Sequence, residues 1–379
     1  MSRFTPSEIG EIRKEFPILG RYTFLNSASM APLPRVSAEA VSALLREQSE
    51  MAYLGMEEWK KNIDKTRRLA ADIIGAGEGE VAFVRNTSDG VSLVASGYPW
   101  KEGDEVIIND LEFPSNVYPW LNLERRGVRV RTVKNRDGRV TVDSIAEAVT
   151  SRTRMLAIST VQFSTGFRAD LAALGQLAKD NGFLLFVDAI QSLGLLPMDV
   201  KGFGVDFLSC GGHKWLCAPE GIGIFFCDTD RLDSIEPTRL GWNTVVNSLD
   251  FGKIDFRLKP DAGRFEEGTV NLAGIYGLGE SLRLIMSKGI ERNMEHALAL
   301  NEQLVDGLRS RGYKVLSPLG ANERSGIIVF SSTSADENTK LRKRLDEAGV
   351  LVIERGGGIR VSPHFFNTEE DIQRLLAEL

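Results

Sequence analysis

The 379-residue chain is longer than one minimal core requires, which predicts two domains. A formal net charge of -6 and a pI near 5.4 argue against nucleic acid as the main partner. The longest apolar runs, such as Phe183 to Val187, fall far below the ~18 residues that suggest a membrane span, so no membrane partner is expected.

The N-terminus, Met1-Ser-Arg-Phe-Thr-Pro-Ser-Glu-Ile9, lacks the apolar centre of a secretory signal, and a cytoplasmic location is expected. Three cysteines, Cys210, Cys217 and Cys227, form an odd set without Cys-x-x-Cys spacing, which argues against a disulfide framework. His213 and Cys217 are four apart but two ligands short of a zinc site, so no metal is expected.

In chain order, helical periodicity runs over Pro34 to Met51 and Glu57 to Ile74. Gly75-Ala-Gly-Glu-Gly79 follows a helix and precedes a strand, the reverse of a dinucleotide fingerprint. Apolar strands then alternate with helices: Val81 to Val84, Glu105 to Ile108, Val128 to Val133, Met155 to Thr160 and Phe183 to Val187. That alternation predicts an α/β fold with a mostly parallel sheet covered on both faces. Asp228 to Glu267 is weakly periodic and is read as loops that could serve a site. From Asn271 to Arg311 the pattern is helical. The tail alternates strand and helix at Ser325 to Phe330, Lys340 to Ala348, Leu351 to Glu354 and from Thr368 onward.

Within this order, Leu184-Leu-Phe-Val-Asp188 reads as a buried strand ending in a carboxylate. Val205 to Ser209 reads as a second strand that leads into Gly211-Gly-His-Lys214, and Gly221 to Phe226 as a third. Read alone, Lys214 is a surface lysine after a turn and Asp188 a capping carboxylate. Their order argues for a pair, because ligands gather at strand ends in open α/β sheets and the three elements can converge on one pocket. A lysine amine so placed can form a Schiff base with an aldehyde cofactor, while a buried carboxylate can hold a pyridine nitrogen protonated. Arg85-Asn-Thr-Ser-Asp-Gly90 follows a strand and opens a helix, so the Thr87 and Ser88 amides lie where a helix N-terminus attracts anions; plain capping by Asn86 or Thr87 is the alternative.

At these residues the chain resembles fold-type I pyridoxal-phosphate enzymes, specifically the class V aminotransferase family, which also holds cysteine desulfurases, kynureninases and isopenicillin-epimerase-like proteins. The similarity runs from Tyr22-Thr-Phe-Leu-Asn-Ser-Ala28 to the C-terminal helix. The resemblance implies an N-terminal segment (1-20), a large cofactor domain with a mostly parallel seven-stranded sheet (21-270) and a smaller α+β C-terminal domain (271-379). It implies pyridoxal 5'-phosphate as cofactor, an amino acid as substrate and a homodimer with a shared active site.

Residue by residue, the resemblance makes Lys214 the Schiff-base lysine, Asp188 the pyridinium partner and Gln191 the contact of the phenolic oxygen. It makes Thr87, Ser88 and His213 phosphate-side contacts. Phe113, in Glu112-Phe-Pro-Ser-Asn116, takes the stacking position where desulfurases often carry His, and its ring cannot act as a general acid. Thr269, in Arg264-Phe-Glu-Glu-Gly-Thr269, matches the threonine that reaches the neighbouring subunit's phosphate; capping of the next helix is the alternative. Arg360 matches the clamp for the substrate α-carboxylate. Arg355 is a second anion contact or a surface salt-bridge residue. The loops Asn26-Ser-Ala28-Ser and Gly241-Trp-Asn-Thr244 are expected to set side-chain specificity.

Three departures from the family pattern stand out. Gly211 replaces a serine, leaving backbone amides or Ser209 for the phosphate. Phe163 replaces an asparagine, with Gln162 as a substitute. Only Gly356-Gly-Gly-Ile359 separates Arg355 from Arg360, where desulfurases insert the loop bearing their persulfide cysteine. Transamination therefore ranks first, since it needs only Lys214 to move the proton. Cysteine desulfuration or carbon-sulfur lysis ranks second, with Cys217 read as a buried structural thiol. Epimerisation ranks lower because Phe113 cannot carry a second proton, and a non-catalytic scaffold ranks last.

Overall fold

The computed structural model describes residues 4–379; Met1–Arg3, at the start of the expected N-terminal segment, lie outside it. Thirteen strands form among these residues. β1 (Thr23–Phe24) pairs with β11 (Val350–Leu351), tying the start of the chain to its last third. β2 (Val81–Val84), β3 (Glu105–Asn109), β4 (Arg129–Val133), β5 (Thr153–Ser159), β6 (Leu184–Asp188), β7 (Phe207–Gly211) and β8 (Gly223–Cys227) make a seven-stranded sheet in the order β2-β8-β7-β6-β5-β3-β4. β9 (Lys314–Val315), β10 (Ile328–Ser331), β12 (Ile353–Arg355) and β13 (Gly358–Val361) make a second, antiparallel sheet, ordered β12-β13-β10-β9.

The large sheet is buried on both faces, which is why its strands read as unbroken apolar runs. Met155, Ala157 and Phe186 enter one core layer, while Leu156, Ile158, Leu185 and Val187 enter the other. The edge strand β4 is the exception and is mostly exposed. Six strands point the same way, and β8, antiparallel to both neighbours, runs against them. Of the three strands expected to converge on one pocket, β8 runs against the other two and presents its beginning where β7 ends, with Gly223 opposite Gly211.

Among the described residues, no helix is long and apolar enough to cross a membrane. Nor, among the described residues, is any group of three or more His, Cys, Asp or Glu placed to hold a metal.

A buried histidine joins the two parts of the fold. His364 Nδ1 accepts the Phe365 N–H at 2.8 Å, so the ring proton sits on Nε2 and is donated to the Trp215 carbonyl at 2.9 Å. Burial pushes its pKa from 6.5 down to about 4. The depressed value fixes the sign: stability is intact above ~6.5 and is lost as pH falls toward about 4, by roughly 3 kcal/mol in total. Denaturant titrations across that window should show the loss, and His364→Gln should flatten it. Equal slopes in the two proteins would contradict this assignment.

Candidate active site

Lys214 is placed by its glycines. After β7 the chain turns so tightly that a Cβ on Gly212 would lie 2.9 Å from Ala218 Cβ, and one on Gly211 would lie 3.3 Å from Thr87 Oγ1. Gly211 donates its N–H to that same Thr87 oxygen at 2.9 Å. The turn delivers the Lys214 amine into a cavity of about 360 Å³, over the Phe113 ring and 5.5 Å from its centroid. Burial lowers the Lys214 pKa, the nearby Asp188 charge opposes that shift, and Arg360 and Arg355 reinforce it. An amine so tuned gives up its proton more readily than a surface lysine.

Asp188, at the end of β6, lines the same cavity and is 1% exposed. Its carboxylate accepts one hydrogen bond, from the Ile190 N–H at 2.9 Å. Burial raises its pKa, the Glu112 charge adds to the rise, and Lys214 opposes it. A buried carboxylate this thinly solvated seeks a cation or a proton.

Across the cavity, the helix Thr87–Gly97 begins with Asn86 as its cap, whose Oδ1 accepts the Asp89 N–H at 3.0 Å. The Thr87 and Ser88 amides belong to the first turn and have no intrahelical acceptor, the geometry that binds anions. The Ser88 hydroxyl donates to Ser115 Oγ at 2.7 Å. Burial and the Lys214 charge lower the His213 pKa, so its ring is held neutral. Phe113 meets Phe163 edge to face, with centroids 5.1 Å apart, and both rings face the cavity.

On the opposite wall Arg360, from β13, is 2% exposed. It donates to the Phe163 carbonyl at 3.0 Å and to Ser29 Oγ at 2.7 Å, while its Nε is buried without a partner. Ser29 in turn donates to Asn26 Oδ1 at 2.7 Å. Burial and the neighbouring Arg355 charge pull the Arg360 pKa down to about 10. Arg355 also lines the cavity and makes no ion pair among the described residues, which favours its reading as an anion contact over a surface salt bridge.

Several expected contacts lie elsewhere. Asn26 stays off the cavity wall and acts through Ser29, whereas Ala28 is on it. Ser209 is fully buried and its hydroxyl is spent on the Thr87 carbonyl at 3.1 Å, because Gly90 packs directly against it. Gln162 is drawn away by the buried Glu112 carboxylate, to which its Nε2 donates at 2.8 Å. Thr269 and Arg85 line a separate cavity, and Gly241–Thr244 touch neither wall. Ser115, Ile190 and Ile353 line the cavity without having been singled out from sequence, and Ser29 was expected only as the end of the Asn26–Ser29 loop. Their side chains carry no distinctive chemistry, and only the tertiary fold selects them.

All three cysteines are buried, each in a different apolar cluster: Cys210 beneath the sheet, Cys217 against the N-terminal helix and Cys227 on the other sheet face. None lines the cavity. Burial raises every thiol pKa, and the Asp188 charge adds to the rise at Cys210.

A family model described as Aminotransferase class-V matches residues 23–375. The chain belongs to that family. It is 33% identical to a probable cysteine desulfurase of Methanothermobacter thermautotrophicus over 96% of each chain. It is 30% identical to a cysteine desulfurase of Klebsiella pneumoniae over 98% of this chain and 97% of that one. A solved structure of the cystine C-S lyase C-DES with its reaction product cysteine persulfide superposes with a TM-score of 0.89. That pair shares 24% identity over 96% of this chain and 98% of the other, a likeness of fold. The architecture is thus fold-type I, and the cofactor of this enzyme is pyridoxal phosphate. The cavity fits that group: a buried carboxylate short of partners, a primary amine over an aromatic face, and free helix N-terminal amides.

Proposed function

We propose that this enzyme breaks the Cβ–S bond of a cysteine-type amino acid and releases the sulfur on a small molecule instead of a protein thiol. Names of the curated relatives favour this over the transamination ranked first from sequence. The observation that carries the second half is a cavity without a cysteine, in a chain whose three thiols are buried in apolar clusters. For free cysteine the balance is water plus cysteine giving pyruvate, ammonia and sulfide; for a disulfide substrate the sulfur leaves as a persulfide.

Arg360 takes the α-carboxylate, and Arg355 adds positive charge for an anionic substrate group. With pyridoxal phosphate bound, Asp188 would hold the proton on its pyridine nitrogen, Gln191 would contact its phenolic oxygen, and His213 with the Thr87 and Ser88 amides would hold its phosphate. Bound pyridoxal phosphate supplies the electron sink for the charge left on Cα. Lys214 removes the Cα proton and carries it toward the departing sulfur. Phe113 and Phe163 cannot relay protons, so a leaving group that is already a stable anion suits this cavity.

Replacing Cys210, Cys217 and Cys227 together by Ala tests the reading. Sulfur release from cysteine or cystine per folded molecule should be essentially unchanged. A well-folded triple variant that has lost it would point to a thiol acceptor.

The shared site is part of the proposal. Tyr53, Leu54, Phe251 and Phe256, with Ile254 at 95%, are large apolar side chains left in solvent, and a second copy would cover them. Thr269, away from the Lys214 cavity of its own chain, would then serve the partner's phosphate. Sedimentation at low concentration should find a dimer; a fully active monomer would contradict it.

A further inference from the structure

Trp215, the residue after Lys214, takes no part in the chemistry above, yet it is fully buried and its indole lies behind Gln191, which lines the cavity. Trp215 Nε1 donates to Gln191 Oε1 at 2.9 Å, and Gln191 Nε2 donates to the Ala28 carbonyl at 3.0 Å. An indole N–H can only donate and a backbone carbonyl can only accept. Swapping the ends of the carboxamide would set N–H against N–H and oxygen against oxygen. The two contacts therefore admit a single orientation of Gln191, in which the amide's second N–H is left for the cavity that Gln191 lines.

We propose that Trp215 is a positioning residue that fixes the polarity of the Gln191 carboxamide, so that the cavity always meets a donor there. The proposal rests on Gln191 facing the cofactor's phenolic oxygen, as argued above. A donor at that oxygen stabilises its negative charge, and by doing so makes the proton on the Lys214 nitrogen of the bound cofactor easier to lose. Without it the oxygen keeps more charge and holds that proton longer. Trp215 would thus tune the Lys214 proton through one intermediary.

The fold is built to admit this indole. A Cβ on Gly326 would lie 2.4 Å from Trp215 Cη2, and one on Gly194, where φ is +104°, would lie 2.2 Å from the Trp215 carbonyl oxygen. That carbonyl is also held by the His364 N–H at 2.9 Å, and the His364 ring lies 5.2 Å from the indole. Ala28, the other jaw, is itself fixed by Ser362 Oγ, which accepts the Ala28 N–H at 3.0 Å. The clamp therefore joins the segment that carries Ser29 to the strand end that carries Lys214.

The test is a pH titration of the bound cofactor's visible absorbance in the holoenzyme, across the parent, Trp215→Phe, Gln191→Leu and the double variant. Trp215→Phe removes the N–H and keeps an aromatic ring in the cradle. The apparent pKa of the Lys214 nitrogen should rise by roughly half a unit to one unit in Trp215→Phe, and at least as much in Gln191→Leu. In the Gln191→Leu background, Trp215→Phe should add nothing. An additive shift would mean that Trp215 acts by another route and would overturn the proposal. No shift in Trp215→Phe beside a clear one in Gln191→Leu would overturn the clamp alone, whereas no shift in Gln191→Leu would overturn the Gln191 assignment beneath it. Should Trp215→Phe fail to fold, NMR of the parent decides: the Trp215 indole proton faces the Gln191 amide oxygen and should show no strong NOE to the Gln191 side-chain amide protons, only one of which should move on loading with pyridoxal phosphate. A strong NOE between the indole proton and those amide protons would contradict the clamp.

Discussion

Lys214→Ala should abolish turnover while leaving weak, non-covalent cofactor binding, because the helix N-terminus, Asp188 and the Phe113 face all lie outside the substitution. Loss of the proton carrier alone costs roughly 10²–10⁴-fold, and no other primary amine lines the cavity to replace it. Product release over long incubations measures the residual rate. Borohydride reduction of the parent followed by peptide mass mapping should place the cofactor on Lys214; an adduct on any other lysine would remove it from the centre of the site.

Arg360→Ala should act on substrate recognition. Removing one partner of a buried, hydrogen-bonded charge pair costs about 2–5 kcal/mol, so kcat/KM should fall by roughly two to three orders of magnitude. The structure sharpens the expectation. Two of the guanidinium's contacts are fixed by Phe163 and Ser29, which aims the group before substrate arrives and makes its loss fall on recognition more than on folding. Arg360→Lys should recover little, since an ammonium cannot reproduce the planar fork. Comparing an amino acid with the amine lacking its carboxylate separates the explanations: the parent prefers the acid and the variant should lose that preference. An equal loss toward both would assign Arg360 to the fold.

Most of the sheet was legible because its strands are buried on both faces. An unbroken apolar run such as Val81–Val84 leaves a strong mark in sequence, and the observed strand has the same bounds as the expected one. Strand direction was not legible. Gly223–Cys227 reads the same whether parallel or antiparallel, and only its pairing with Phe207–Gly211 shows which way it runs.

Lys214, Asp188, Gln191, His213 and Arg360 were legible through motif order, and one cavity gathers them. What failed was the inference of availability. Ser209 and Gln162 have suitable side chains close in sequence to the site, but their donors are turned to the Thr87 carbonyl and the Glu112 carboxylate. Asn26 was expected at the substrate and instead steadies Ser29 beneath Arg360. Most of these partners come from elsewhere in the chain, 50 positions away for Gln162 and Glu112 and 331 for Arg360 and Ser29, and no local pattern encodes them.

The fate of the substrate's Cβ–S bond tests the account most directly. L-cysteine and L-cystine carrying ¹³C at Cβ should be incubated with the holoenzyme, and the products followed by NMR alongside sulfide and ammonia assays. Cleavage of that bond gives labelled pyruvate with stoichiometric ammonia, and sulfide or persulfide released into solution. Labelled 3-mercapto-2-oxopropanoate, with its carbon-sulfur bond intact and the amino group retained on the cofactor, would contradict it.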